Sequence, residues 1–243
     1  MLSRAIGVST GVLALAGNAA AQPNVTFSFA SDTASGPAVA QTFRGEAGSG
    51  VVEIFRSRVG LLADDANGPL PTLEFDDTLF YADFQLTYDS STTLGTGQTL
   101  HAYRIDGTFR FDAVTTMTVD IVDGLFTSLG GADSWGSTAT IQASSTAGST
   151  VTYTWDRESF PEYNLFEGES SQTLTDASFT LSNLLSFTAD ATQPGVMLDP
   201  QTFLPAEKWQ SEGSFSGSAF FVPAPASVAV ACVGGLIAAR RRR

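Results

Sequence analysis

Phe80-Tyr81-Ala82-Asp83-Phe84-Gln85-Leu86-Thr87 alternates apolar and polar residues without a break, and His101-Ala102-Tyr103-Arg104-Ile105-Asp106-Gly107-Thr108-Phe109-Arg110-Phe111 does so again. Side chains of an extended chain point to opposite faces in turn, so a period of two means one face buried and one wet. Working outward, the same texture recurs at Val25, Phe27 and Phe29 and at Met117, Val119 and Ile121. It returns at Ala139, Ile141 and Ala143, at Val151, Tyr153 and Trp155, at Phe179 and Leu181, and at Phe215, Gly217, Ala219 and Phe221. Turn-forming Gly, Ser, Asp and Asn separate these runs. Only Asn183 to Phe187 offers a short stretch of helical spacing. The expectation is an all-β fold: a single antiparallel β-sandwich, a jelly roll being one arrangement of it, spanning residues 22–222 as one domain.

The chain has 243 residues, 43% of them hydrophobic, so a body of this size can bury a core of its own. Its formal net charge is −13, but that figure understates the body. Arg4 and Arg240 to Arg243 lie in the two end segments, which leaves seven basic residues against all 25 acidic ones. Such a surface repels nucleic acid and anionic lipid and favours divalent cations or basic partners. Ordinary solvation of an acidic surface accounts for the composition equally well. Cys232 is the one cysteine, so no intrachain disulfide forms. It stands far from the N-terminal leader and is not the acylated cysteine of a lipoprotein.

The first residues read MLSRAIGVSTGVLALAGNAAAQ. Arg4 supplies a positive start, Ile6 to Ala16 a short apolar run, and Ala19-Ala20-Ala21 a small-residue cleavage site. Residues 1–21 therefore read as a signal peptide, cut before Gln22 by signal peptidase after passage through the general secretion machinery. The last residues read FFVPAPASVAVACVGGLIAARRRR. Pro223 and Pro225 stop any incoming element, because proline lacks an amide donor. Ser227 to Ala239 is apolar or small throughout, then four arginines follow. As a helix that run covers about 20 Å, less than the roughly 30 Å hydrocarbon core. Snorkelling arginine stems and local thinning let so short a transmembrane helix stall in the bilayer, with the arginines on the cytoplasmic side and the body outside.

Val222-Pro223-Ala224-Pro225, the 227–239 helix and the Arg240, Arg241, Arg242, Arg243 cluster together resemble the PEP-CTERM sorting signal of exported bacterial proteins. Residue 224 is alanine where that signal ordinarily carries glutamate. The resemblance is confined to about the last 22 residues. It implies that residues 223–243 are a sorting tail, recognised at Val222 to Pro225 by an exosortase-type membrane protease. It further implies an inner-membrane intermediate, followed by delivery to the cell surface or extracellular matrix. A plain tail anchor that is never cut is the alternative.

Candidate chemistry is sparse. One histidine cannot build a multi-histidine zinc site, and no C-x-x-C pair, P-loop, G-x-G-x-x-G or G-x-S-x-G motif occurs. His101 is in phase with Tyr103 and Ile105, which makes it a core-facing structural histidine before it is a general base. Asp65, Asn67 and Glu74 fall on ligand positions of a calcium loop and Gly68 on its turn position, but its first position is Ala63, and Pro69 and Pro71 crowd its middle. A turn between strands at Asn67-Gly68 is the simpler reading. The richest stretch is 155–169, where carboxylates interleave with aromatics. Trp155, Asp156, Glu158, Glu162 and Tyr163 are its candidate ligand-binding residues, aromatic faces for sugar rings and carboxylates for hydroxyls. The alternative is an acidic surface loop whose aromatics pack back on the body.

These readings converge on an exported, non-enzymatic surface or matrix protein with a structural or adhesive body and no cofactor. A carbohydrate- or calcium-binding module contacting extracellular polysaccharide is second. A glycan-active enzyme, which needs two carboxylates at a set separation, is third.

Overall fold

The computed structural model describes residues 24–30, 43–65, 72–112, 116–156, 168–170, 175–187 and 192–220. Fourteen strands occupy most of them: β1 (Asn24–Ala30), β2 (Phe43–Gly45), β3 (Val51–Asp65), β4 (Leu73–Thr93), β5 (Thr99–Asp112), β6 (Thr116–Gly130), β7 (Ser134–Trp135), β8 (Ala139–Ser144), β9 (Thr150–Asp156), β10 (Gly168–Glu169), β11 (Asp176–Phe187), β12 (Thr192–Pro194), β13 (Val196–Met197) and β14 (Lys208–Phe220). Among the described residues the one helical turn is Ser145–Ala147.

The all-antiparallel expectation holds. Twelve strands form one sheet, and β7 pairs with β13 in a separate two-stranded piece. The large sheet returns on itself: β3, β4, β5, β6, β8, β11, β14 and β1 pair in that order, and β1 pairs again with β3. A two-sheet sandwich was expected; the pairing among the described residues is one continuous sheet that closes through β1 and β3. Between β14 and β3 the seam has two short members. β1 pairs with Ser214 to Phe220 and Leu62 to Asp65, while β2 pairs with Ser211 to Trp209 and with Val52 and Glu53. β6 is divided in the same way, pairing with β9 over 116–122 and β8 over 125–128. Closure leaves few unpaired amides and carbonyls, which is what protects a sheet from edge-to-edge association.

Alternation puts Phe80, Ala82, Phe84 and Leu86 of β4 inside with Tyr103, Ile105, Phe109 and Phe111 of β5, all buried. Phenylalanines of opposing walls meet in the middle. Phe80 stacks on Phe111 at 4.8 Å, and Phe109 meets Phe179 edge-on at 4.9 Å. Phe179 also packs on Phe215 at 4.9 Å and on Phe43 at 5.5 Å. Edge-to-face and offset contacts at these separations add to the burial term. Among the described residues the interior is thus packed apolar, while the outer face mixes polar residues with exposed Leu62, Val122, Leu125 and Leu129.

Long strands must bend to enclose a core this narrow, and irregularities supply the bends. β3 is bulged between Ile54 and Ser57, opposite Tyr81 of β4. Gly107 lies at φ +152, and a Cβ there would collide with the carbonyl oxygen of Asp83. Asn183 to Phe187, expected to be helical, instead continues β11: Asn183 has φ +52 and the register shifts between Ser182 and Ser186. That shift breaks the alternation, which is why Leu184, Leu185 and Phe187 mimic helical spacing.

One end of the closed sheet is plugged. Trp135 Nε1 donates to Tyr103 Oη at 3.0 Å, and Tyr103 Oη donates to the carbonyl of Phe203 at 2.5 Å. Trp209 packs on Trp135 at 5.5 Å, and Phe203 stacks on Tyr88 at 4.5 Å. The opposite end holds both extremities of the body, since Asn24 pairs with Phe220. Residues 1–23 and 221–243, with the expected signal peptide, sorting motif, transmembrane helix and arginine cluster, lie outside the described residues. Among the described residues no helix is long and apolar enough to cross a membrane.

Candidate functional site

Of the residues singled out in the 155–169 stretch, Trp155 is placed in the core. It is 2% exposed and shares the inward face of β9 with Val151 and Tyr153. Its ring therefore packs against the body and is not displayed to a ligand, as the in-phase alternation of that strand requires. Asp156 closes β9 opposite Thr116. The chain returns at Gly168, which pairs with Trp155. Glu158, Glu162 and Tyr163 lie outside the described residues, as do Val222 to Pro225 and Arg240 to Arg243.

The segment after the return seals the outer edge of β9. Ser170 donates its amide to the Tyr153 carbonyl at 2.8 Å and accepts the Tyr153 amide on Oγ at 3.0 Å. Thr175 Oγ1 donates to the Val151 carbonyl at 2.9 Å. Tyr153 Oη, fully buried, donates to the Asp176 carbonyl at 2.6 Å. Burial holds that phenol well above its ordinary pKa, and the Asp176 charge adds to the effect. Burial raises the Tyr103 phenol in the same way, only partly opposed by the Trp135 hydrogen bond. Both are structural groups.

His101 is structural as well. It is wholly buried, with Nε2 2.8 Å from the Gly131 carbonyl and Nδ1 2.8 Å from Ser91 Oγ. A carbonyl only accepts, so Nε2 carries a proton. With both nitrogens engaged, the ring ties β5 to β4 and to the turn after β6. In the 63–74 segment, Asp64 and Glu74 are exposed and Thr72 Oγ1 donates to Asp64 Oδ1 at 3.2 Å. Strands β3 and β4 flank this segment, so it has the setting of a hairpin connection. Asn67, Gly68 and their immediate neighbours lie outside the described residues, and among the described ones no group of three metal-binding side chains converges.

The outer surface holds what the sequence did not single out. Across β2 to β6 the outward residues fall in register as Arg44, Glu53, Asp83, Thr108 and Asp120. The neighbouring row is Tyr81, Arg110 and Thr118. The Arg110 guanidinium carbon lies 4.6 Å from the centroid of the Tyr81 ring, a stacked cation–π pair. Glu53, Tyr81, Asp83, Thr108, Arg110 and Thr118 line an open surface cleft of about 470 Å³. A second cleft of about 370 Å³, lined by Arg44, Glu46 and Ser49, adjoins the first at Glu53, which lines both. The signal was present in the sequence as outward positions of Phe80–Thr87 and His101–Phe111. What it lacked was register, which alone says that Glu53 lies beside Asp83 and Tyr81 beside Arg110.

Elsewhere the outer surface changes character. Thr140, Thr180 and Ser214 form one cross-strand row of β8, β11 and β14, and Gln142, Ser178, Ser216 and Ser28 the next, extending onto β1. No charge interrupts either row. Among known proteins, the chain matches no family, no characterised sequence and no solved structure.

Proposed function

We propose that this chain is an exported cell-surface or extracellular-matrix protein, sorted by an exosortase-type protease, whose closed β body is structural or adhesive and not catalytic. The observation that carries this reading is the order of parts in the sequence: a small-residue cleavage site at Ala19-Ala20-Ala21, a β body, then Pro223-Ala224-Pro225, an apolar segment and four arginines. The fold supports it in one respect. Pairing of Asn24 with Phe220 brings both ends of the described body together, so removal of a leader and of a tail leaves every described strand intact. A body held by residues 223–243 stands with its plugged end away from the membrane.

The test is fractionation of cells that make an exosortase-type protease and this chain. The intact chain should be recovered at the surface or in the matrix. Deleting Arg240–Arg243 should leave the body exported but let the precursor escape membrane retention. Unchanged fractionation of the deletion removes the stop role. An intact chain in the cytoplasm defeats the reading altogether.

A further inference from the structure

We infer that the two adjoining clefts on the outer face of β2 to β6 together form a binding groove for an uncharged polysaccharide strand. This deepens the proposed adhesive role by naming what the body adheres to. Four features select that ligand.

Shape comes first. The groove crosses five strands, roughly 19 Å at ordinary strand spacing, which suits a polymer of several sugar rings better than one small molecule. Its chemistry comes second. The stacked Tyr81–Arg110 pair offers a flat amphipathic surface for the C–H face of a pyranose. Beside it, the exposed Glu53 and Asp83 accept hydrogen bonds from hydroxyls, and the guanidinium donates them. Charge is third. Glu53 and Asp83 lie directly opposite each other, a like-charge pair flanked by Arg44 beside Glu53, and the paired carboxylates disfavour an acidic polymer at the centre of the groove. The fourth feature excludes an extended peptide as the favoured guest. Peptides add to sheets along an edge, where backbone groups are free, whereas this groove crosses a face whose main-chain groups are already paired. The bulge in β3 opposite Tyr81 fits this role, since bulges re-aim side chains beside binding sites.

The experiment is titration of the full purified chain with cellohexaose, chitohexaose and the polyanion polygalacturonate. One of the two neutral hexasaccharides should bind. Tyr81→Ala and Arg110→Ala should each weaken that binding about tenfold, while Ser216→Ala on the opposite wall changes it by less than about twofold. Circular dichroism and melting of each variant separate lost contact from lost fold. Should Tyr81→Ala not fold, the near-isosteric exposed change Asp83→Asn takes its place, again with weaker binding expected. Binding of neither neutral sugar, binding indifferent to these substitutions, or equal binding of polygalacturonate overturns the inference. Because the titration uses purified protein, its failure leaves the sorting proposal standing, and a failure of sorting leaves the groove standing.

Discussion

The wall made by β3, β4, β5 and β6 and the wall made by β8, β11, β14 and β1 are alike inside and unlike outside. Inside, each presents buried aromatics that meet at the centre, Phe80 and Phe109 from one wall, Phe179 and Phe215 from the other. Outside, the first carries Glu53, Tyr81, Asp83 and Arg110, with Arg104 salt-bridged to Asp123 at 3.1 Å. The second carries rows of serine and threonine, with its charges spread singly: Asp176 bonded to Ser218 and Glu212 to Asn183. The inner faces are constrained by close packing, so they agree. The outer faces are constrained only by solubility and β propensity, which serine and threonine satisfy at no further cost. What sets the first wall apart is that its charges adjoin one another and a stacked aromatic in one cleft, which is more than folding demands, and it is there that function is sought.

The largest expected break in this comparison is internal. Phe179→Ala, which removes a ring touching both walls, should cost about 3–5 kcal/mol in denaturant unfolding. Gly217→Ala comes next. A Cβ there would run into Tyr153 Oη, so the hydrogen bond to the Asp176 carbonyl must shift, at about 1–3 kcal/mol by the same measurement.

Alkali offers a third test. Both buried tyrosines have pKa values raised above the ordinary 10.0, so above that pH the unfolded chain releases protons that the folded one keeps. Their contribution is complete below about pH 10 and falls as pH rises further, toward the raised folded values. Urea midpoints measured from about pH 8 to about pH 11.5 should decline over the upper part of that range, with tyrosinate absorbance from these two residues appearing together with unfolding. The smallest effect belongs to the hydroxyl wall, where Ser216→Ala should change stability by less than about 0.5 kcal/mol. A large loss there would mean that this wall, too, is under close constraint.

Much of the fold was legible because alternation reports burial directly. Phe80, Ala82, Phe84 and Leu86, then Tyr103, Ile105, Phe109 and Phe111, then Val151, Tyr153 and Trp155 all face inward as their period requires. Closure was not legible. Whether Asn24 meets Phe220, or Val25 meets Asp65, depends on long-range register that no local pattern encodes. The bulge at Ser182 to Ser186 hid a strand as a helix for a related reason, since one shifted residue cancels the period. Trp155 drew attention as a sugar-stacking residue because tryptophan and carboxylates adjoin there, although its phase with Val151 and Tyr153 already placed it inside. The outer groove was half visible: its residues were assigned to the polar face, but their cross-strand neighbours were not.

The sorting reading is most directly tested by the intact mass of the protein recovered from the cell surface. A chain that begins at Gln22 and is cut within the 223–243 tail, so that it lacks the terminal arginines, is the expected product. A chain that still runs from Met1 to Arg243, found only in the cytoplasm, would contradict export and leave the β body without the address proposed for it.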